Sequence, residues 1–246
     1  MLNKTIRKLI YRASWDTRRR NVDITQVLKP LLADKAILLD VGCGEFSLAK
    51  AVYPARVVGV DIVNKSYENS DNLSFVSGSV VALPFSDKSF PVVASVDMIE
   101  HLPADVRIQA LRELFRVAKK AVVIAFPYGK NAYELDVEFM RRLKDKGKPE
   151  PEWLTEHLQN QYPELKTILR TVNEVAANGK NTVKTTVSYS ENLGVTRALR
   201  RLATRSKFLY VFMNILAGMS PVVLQSDENN SYRVIIVTKI SERGDS

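Results

Sequence analysis

The sequence predicts a doubly wound α/β fold, a seven-stranded and mostly parallel sheet with helices on both faces, and three observations lead there. Short apolar, β-branched runs recur along residues 36–126, an amphipathic helical pattern stands between the fourth and fifth of them, and a glycine turn closes the first. Parallel neighbours need a crossover connection, so strands alternating with helices imply a parallel sheet.

The runs are residues 36–41, 56–61, 73–77, 91–96 and 121–126, each bounded by turn residues or charge. Continuous apolar runs of this length fit strands buried on both faces. Residues 47–52 are expected to open a helix directly after the first turn. In the helix before the fifth strand, Val106, Ala110, Leu114 and Ala118 form one stripe with Leu111 and Phe115 beside it, and Pro103 and Asp105 open it. After Phe126 the rhythm changes. Residues 127–163 are polar and charged, with Gly147, Pro149 and Pro151, before two last strands at 182–189 and 232–240. Residues 194–224 therefore interrupt what is ordinarily a tight hairpin.

The 246 residues are 46% hydrophobic and 26% charged, with 10 glycines and 10 prolines, which excludes disordered and fibrous classes. Cys43 is the single cysteine, so neither an intrachain disulfide nor a Cys-x-x-Cys metal site is available, and no metal is expected. A reducing, cytoplasmic setting follows. Residues 1–20 carry charge throughout without the apolar run of a secretory signal. The uncharged stretch 208–224 contains Asn214, Gly218 and Pro221 and is shorter than the roughly 20 residues of a membrane span.

The net charge is +9, and it is concentrated. Residues 1–20 hold Lys4, Arg7, Lys8, Arg12, Arg18, Arg19 and Arg20 against Asp16, while residues 194–210 hold Arg197, Arg200, Arg201, Arg205 and Lys207 with no acid. One reading is two solvated helix faces. The other is an anionic partner: the second basic run leads into the apolar stretch from Phe208, which suits peripheral contact with an anionic membrane or a lipid-linked phosphate. Nucleic acid is less favoured, because neither segment interleaves aromatics with its basic residues in the manner of a base-stacking platform. The surplus of apolar residues in 194–224 also suits core packing or a homodimer interface.

Ligands of open α/β sheets bind outside the carboxyl ends of the strands. There the first strand ends Leu39-Asp40-Val41-Gly42-Cys43-Gly44-Glu45-Phe46, where a sharp turn and close backbone approach require residues without a Cβ. The second strand ends in Asp61, nineteen residues past Gly42, where a carboxylate can accept both ribose hydroxyls of a nucleoside. Glu45 at the start of the next segment opposes a pyrophosphate, which would need that helix N-terminus. Asp40 can instead receive a positively charged amine.

Leu39 to Gly44, Val-Gly-Val-Asp at 58–61, Ala-Leu-Pro-Phe-Ser-Asp-Lys-Ser-Phe at 82–90 and Ile-Glu-His-Leu at 99–102 together resemble the class I S-adenosylmethionine-dependent methyltransferases, type 11 group. The resemblance covers residues 36–127. It implies a sheet order 3-2-1-4-5-7-6 with the last strand antiparallel. It also implies that Asp40, Gly42, Cys43 and Gly44 surround the methionine part of S-adenosyl-L-methionine, that Asp61 holds the ribose, and that Ile62 packs on the adenine. Ser79 and the backbone amide of Val80 are the expected contacts to the adenine edge, and Asp97 shapes the methionine end of the pocket or faces solvent. Phe46 and Ser79 depart from the family's pattern, where a small residue and an acid are usual.

Methyl transfer from a sulfonium is an in-line displacement, so positioning the acceptor is the main task. For a hydroxyl acceptor His101 is the candidate general base, with capping of the Pro103 helix as the alternative. His157 in Trp153-Leu154-Thr155-Glu156-His157-Leu158 and Tyr128 in Phe126-Pro127-Tyr128-Gly129 are candidate substrate residues. For His157, packing of a helix onto the body is the competing reading. The two stretches resemble a subgroup associated with polysaccharide pathways. The expectation is a single domain over 1–246, with a cofactor-binding half at 35–127 and a substrate or interaction region built from 128–165 and 194–224. The expected acceptor is a sugar, a glycolipid-linked compound or another small molecule, methylated on oxygen. An RNA methyltransferase and a non-catalytic scaffold of the same fold are the alternatives.

Overall fold

The protein is described by a computed structural model over residues 15–32, 36–44, 47–53, 55–62, 70–177, 181–219 and 226–242. Lys4, Arg7, Lys8 and Arg12, the turn residues Glu45 and Phe46, and residues 220–224 of the apolar stretch lie outside the described residues.

Helix α1 (Trp15–Leu28) precedes β1 (Ile37–Val41), β2 (Arg56–Asp61), β3 (Leu73–Ser77) and β4 (Phe90–Val96). Then come α2 (Arg107–Val117), β5 (Ala118–Pro127), α3 (Gly129–Asp145), α4 (Glu152–Gln159) and α5 (Leu165–Ala177). The chain closes with β6 (Asn181–Asn192), α6 (Leu193–Arg205), α7 (Lys207–Met219) and β7 (Ser231–Glu242). The sheet order is β3-β2-β1-β4-β5-β7-β6. The first five strands pair in parallel, and β7 runs antiparallel to both β5 and β6, as the sequence predicts.

Side chains alternate across a strand, and here the alternation sorts the apolar residues into two cores. Leu39, Val93, Val122 and Ile236 join one cluster, which α2 supplies with Leu111 and Leu114 and α5 with Ile168 and Val172. Their sequence neighbours Leu38, Val92, Val123 and Ile235 join the other, closed by Ile24 and Leu28 of α1. Burial on both sides explains the near-continuous apolar runs.

The helix expected at 47–52 is only a single 3-10 turn, Leu48–Lys50. Ser47 caps it by accepting from the Ala49 N–H. In the sequence Pro54 follows, and a proline restricts the residue before it away from the helical region.

The insertions form a helical cap. Helix α3 packs on α4, α6 and β7; α4 packs on the 3-10 turn Ile99–His101 that follows β4; and α7 packs on α6 and α1. Among the described residues no helix is long and apolar enough to cross a membrane.

Much of the basic charge is taken up in ion pairs within the chain. Arg200 pairs with buried Asp136, Arg197 and Arg201 pair with Glu138, Arg19 pairs with Asp23, and Arg20 reaches Asp97. The two basic runs are therefore in part fold-holding ion pairs, a role neither reading of the sequence anticipated.

Candidate functional site

The carboxyl ends of β1, β2, β4 and β5 open on one crevice, and its first wall is the glycine turn. The Gly42 and Cys43 N–H groups both donate to the Val60 carbonyl, at 2.8 and 3.2 Å, so the turn folds back onto β2. Gly42 has φ +73°, and a Cβ there would lie 2.3 Å from Met98 Cγ. Gly44 has φ +52° with no atom within 4 Å of a Cβ position, so the chain passes open space there. Its N–H donates to Asp61 Oδ2 at 2.9 Å, which joins the two sequence signals in one structure.

Asp40 is buried, and its Oδ2 accepts from the Ser47 hydroxyl at 2.9 Å and the Leu48 N–H at 2.8 Å. The acid expected to receive an amine thus also fastens the far side of the turn. Burial, with Asp40 and Asp61 nearby, pushes the Cys43 thiol up to about 12, so it stays protonated. Its sulfur fills the space over Gly59, where a Cβ would approach it to 2.9 Å.

Ile62 is 72% exposed beside Asp61, an apolar surface set next to a hydrogen-bonding carboxylate. Ser79 pairs with Ala82 in an isolated bridge, and Val80 packs on the main core. Left-handed glycines, open space over Gly44, and an exposed isoleucine next to the acid fit a bound nucleoside carrying a short charged chain.

Asp97 sits at the end of β4 with φ +54°. Its Oδ1 accepts from Arg233 Nε at 2.7 Å, and its Oδ2 from Arg233 at 2.8 Å and Arg20 at 3.1 Å. Burial opposes its charge, but Arg233 and Arg20 outweigh that and hold the carboxyl down at about 2. Arg233 also pairs with Glu191, so the group ties α1, β4, β6 and β7 together at the crevice.

The second wall is a cluster of titratable side chains. His101 Nδ1 lies 2.6 Å from Glu156, His157 Nδ1 lies 3.2 Å from Asp136, and the two Nε2 atoms face each other at 3.3 Å. Glu100 Oε1 stands 3.7 Å from His157 Nε2. Around them Asp136 accepts from Tyr162, Tyr232 and Arg200. Arg107 clamps the 3-10 turn through the Ile99 and Leu102 carbonyls at 3.2 and 3.0 Å and reaches the Gln161 carbonyl beyond α4.

Burial, then the neighbouring His157, lowers the pKa of His101, so its ring is neutral at pH 7. Burial would raise Asp136, but Arg200 and the surrounding donors keep it ionised. Glu100 moves the other way: burial, reinforced by Asp97, raises it well above the usual range.

The structure brings His101 and His157 together across 56 positions of sequence. His157 is buried with its ring edge-on to that of Trp153, as a packed helix residue would be, and it also stands beside His101. Tyr128 goes elsewhere. It packs in the main core, and its hydroxyl donates to the Glu228 carbonyl at 2.6 Å. That bond ties β5 to the residues before β7. Sequence reasoning missed Asp136, Glu156, Arg200 and Arg233. For Asp136 a signal existed, since it interrupts the buried stripe of Ala132, Leu135 and Met140 on α3.

Residues 39–126 match the family described as "Methyltransferase domain", type 11. The demethylmenaquinone methyltransferase of Lactococcus lactis subsp. lactis is 29% identical over 157 residues, 53% of this chain and 61% of the relative. That of Staphylococcus carnosus is 31% identical over 159 residues, 54% of this chain and 65% of the relative. The chain thus spans under two thirds of these curated relatives. A SAM-dependent methyltransferase from Archaeoglobus fulgidus superposes with TM-score 0.53 at 16% identity, covering 89% of this chain and 94% of that one, which shows the shared fold. With the strand order, the joined glycine turn and acid, and the match over 39–126 in agreement, the chain carries a methyltransferase domain of the type 11 group on the class I S-adenosylmethionine-dependent methyltransferase fold.

Proposed function

We propose that this protein transfers the methyl group of S-adenosylmethionine to an oxygen of a small-molecule acceptor. The observation that carries the reading is the Gly44 N–H to Asp61 bond beside exposed Ile62, which presents a carboxylate and an apolar surface to one ligand. Asp61 holds the ribose hydroxyls, Ile62 covers one adenine face, and the turn at Gly42 and Gly44 admits the methionine end. The cofactor supplies an electrophilic methyl carbon on a positively charged sulfur. An acceptor hydroxyl that took up this methyl group would have to give its proton to a base. His101, neutral at the crevice, is the side chain for that proton.

Relatives named for demethylmenaquinone favour a small molecule over a polymer. The sugar or glycolipid-linked acceptor suggested by the sequence draws on a second feature. Helix α7 leaves Phe208, Phe212 and Leu216 exposed beside Arg205, a surface suited to an acceptor carried at a membrane face. Sedimentation with anionic liposomes tests that contact.

The first experiment is thermal unfolding with and without S-adenosylhomocysteine, for the parent and for Asp61→Ala. A ligand at 100 times its dissociation constant adds about 2.7 kcal/mol. For a chain this size that raises Tm by roughly 5 to 10 °C. The expected result is a rise in the parent that shrinks in the variant. No rise in a folded parent overturns the proposal and favours the scaffold reading.

A further inference from the structure

Glu100 is the anomaly of the crevice. Its side chain is fully buried, and neither carboxylate oxygen has a hydrogen-bond partner. A buried acid without a partner is destabilising unless a ligand completes it. What faces it explains what it awaits.

A carboxylate only accepts hydrogen bonds, so Glu156 and Asp136 fix the Nδ1–H tautomers of His101 and His157. Both Nε2 lone pairs then point at one another across 3.3 Å, with Glu100 Oε1 at 3.7 Å from one of them. Two imidazole lone pairs and a carboxyl group thus converge on one small space. Imidazoles whose Nδ1–H is held by a carboxylate while Nε2 is presented inward have the usual arrangement of metal-ligating histidines. The spacing agrees. Bonds of about 2.0–2.1 Å in tetrahedral geometry separate ligand atoms by about 3.4 Å. Ligand atoms of Glu100, His101 and His157 all lie within 4.8 Å of one another.

We propose that Glu100, His101 and His157 form a binding site for one borderline divalent transition-metal ion, of the Zn2+ class. Two imidazoles with one carboxylate suit such an ion better than Mg2+ or Ca2+, which prefer all-oxygen sets. Sequence expectation was for no metal, because the ligands are 56 positions apart and carry no cysteine. His101 remains part-exposed at 27%, so a fourth coordination position opens toward the crevice. The turn bearing Glu100 and His101 starts at Met98, whose side chain abuts Gly42, which sets the ion on the acceptor side of the cofactor turn. Its role there rests on the methyl-transfer reading: it would hold the acceptor oxygen and let its proton pass to solvent water at the part-exposed edge of the site, with His101 acting as a ligand in place of a base.

The test is calorimetric titration of the chelator-stripped full chain with ZnCl2, read alongside the visible absorption of the Co2+ form. One equivalent is expected in the parent. Binding should be lost in His157→Ala and His101→Gln, and weakened about 10 to 100-fold in Glu156→Gln, where the half-exposed carboxylate only orients His101. Glu100→Gln, which keeps the shape of the buried side chain, should also lose it. No binding by the parent, or equal binding by the histidine variants, overturns the site. Zn2+ binding without a response to S-adenosylhomocysteine would uphold this site and overturn the methyl-transfer reading, and the reverse pattern would do the opposite.

Discussion

The two walls of the crevice are built by opposite means. The cofactor wall is made of backbone: residues 39–44 with 47 and 48, two left-handed glycines and amide hydrogens folded onto β2. The cap wall is made of side chains from α3, α4, α6 and β7, converging on one buried acid, Asp136. The first tolerates no Cβ where it turns, while the second tolerates no lost charge.

The largest effect is therefore expected in the cap. Asp136→Ala leaves Arg200 buried over Tyr232 without its counter-charge. Removing one partner of a buried pair costs about 3–5 kcal/mol. Urea unfolding should show that loss, and the double variant with Arg200→Met should recover part of it. A single-variant loss below about 1 kcal/mol would mean that the pair is wetter than it stands here.

The cofactor wall is tested by two glycines. Gly42→Ala combines left-handed strain with a methyl group 2.3 Å from Met98 Cγ, whereas Gly44→Ala meets strain alone. Left-handed backbone costs about 1–2 kcal/mol for a residue with a Cβ, and overpacking a further 1–3 kcal/mol. Gly42→Ala should lower stability by about twice as much as Gly44→Ala, measured by urea midpoint. Equal losses would show that Met98 moves aside freely.

Where the walls meet, acid should separate them. Arg233 and Arg20 hold Asp97 at about 2, below its ordinary value of 3.8, so as pH falls the unfolded chain takes up this proton first. The stabilisation is complete above about pH 4 and fades as pH falls toward 2. Asp97→Asn should cost about 2 kcal/mol at pH 6 and almost nothing at pH 2. Unfolding midpoints compared across that range check it, and a pH-independent cost would mean that packing rather than charge is lost.

This contrast also explains what the sequence made legible. The strands follow from periodicity within a few residues, and their order from the family resemblance that the glycine turn and Asp61 carry. His101 was visible through its place after β4. Its partners were not, because Glu156, His157, Asp136 and Arg200 lie on helices whose packing no local pattern fixes. Nor could charge counting show that Arg197, Arg200 and Arg201, read as facing an anionic partner, would turn to Glu138 and Asp136.

The smallest effect should come from the cap's outer face. Phe208 is 82% exposed, and Phe212 and Leu216 on the same helix are about half exposed. Surface substitutions away from packed features change stability within about 0.5 kcal/mol. Phe208→Ser should therefore leave the unfolding midpoint unchanged while reducing liposome sedimentation, if this face meets a membrane. A large loss of stability that depends on protein concentration would instead show that a second copy covers the helix. The apolar excess in 194–224 would then belong to a dimer, and the cap would carry side-chain packing on both its faces.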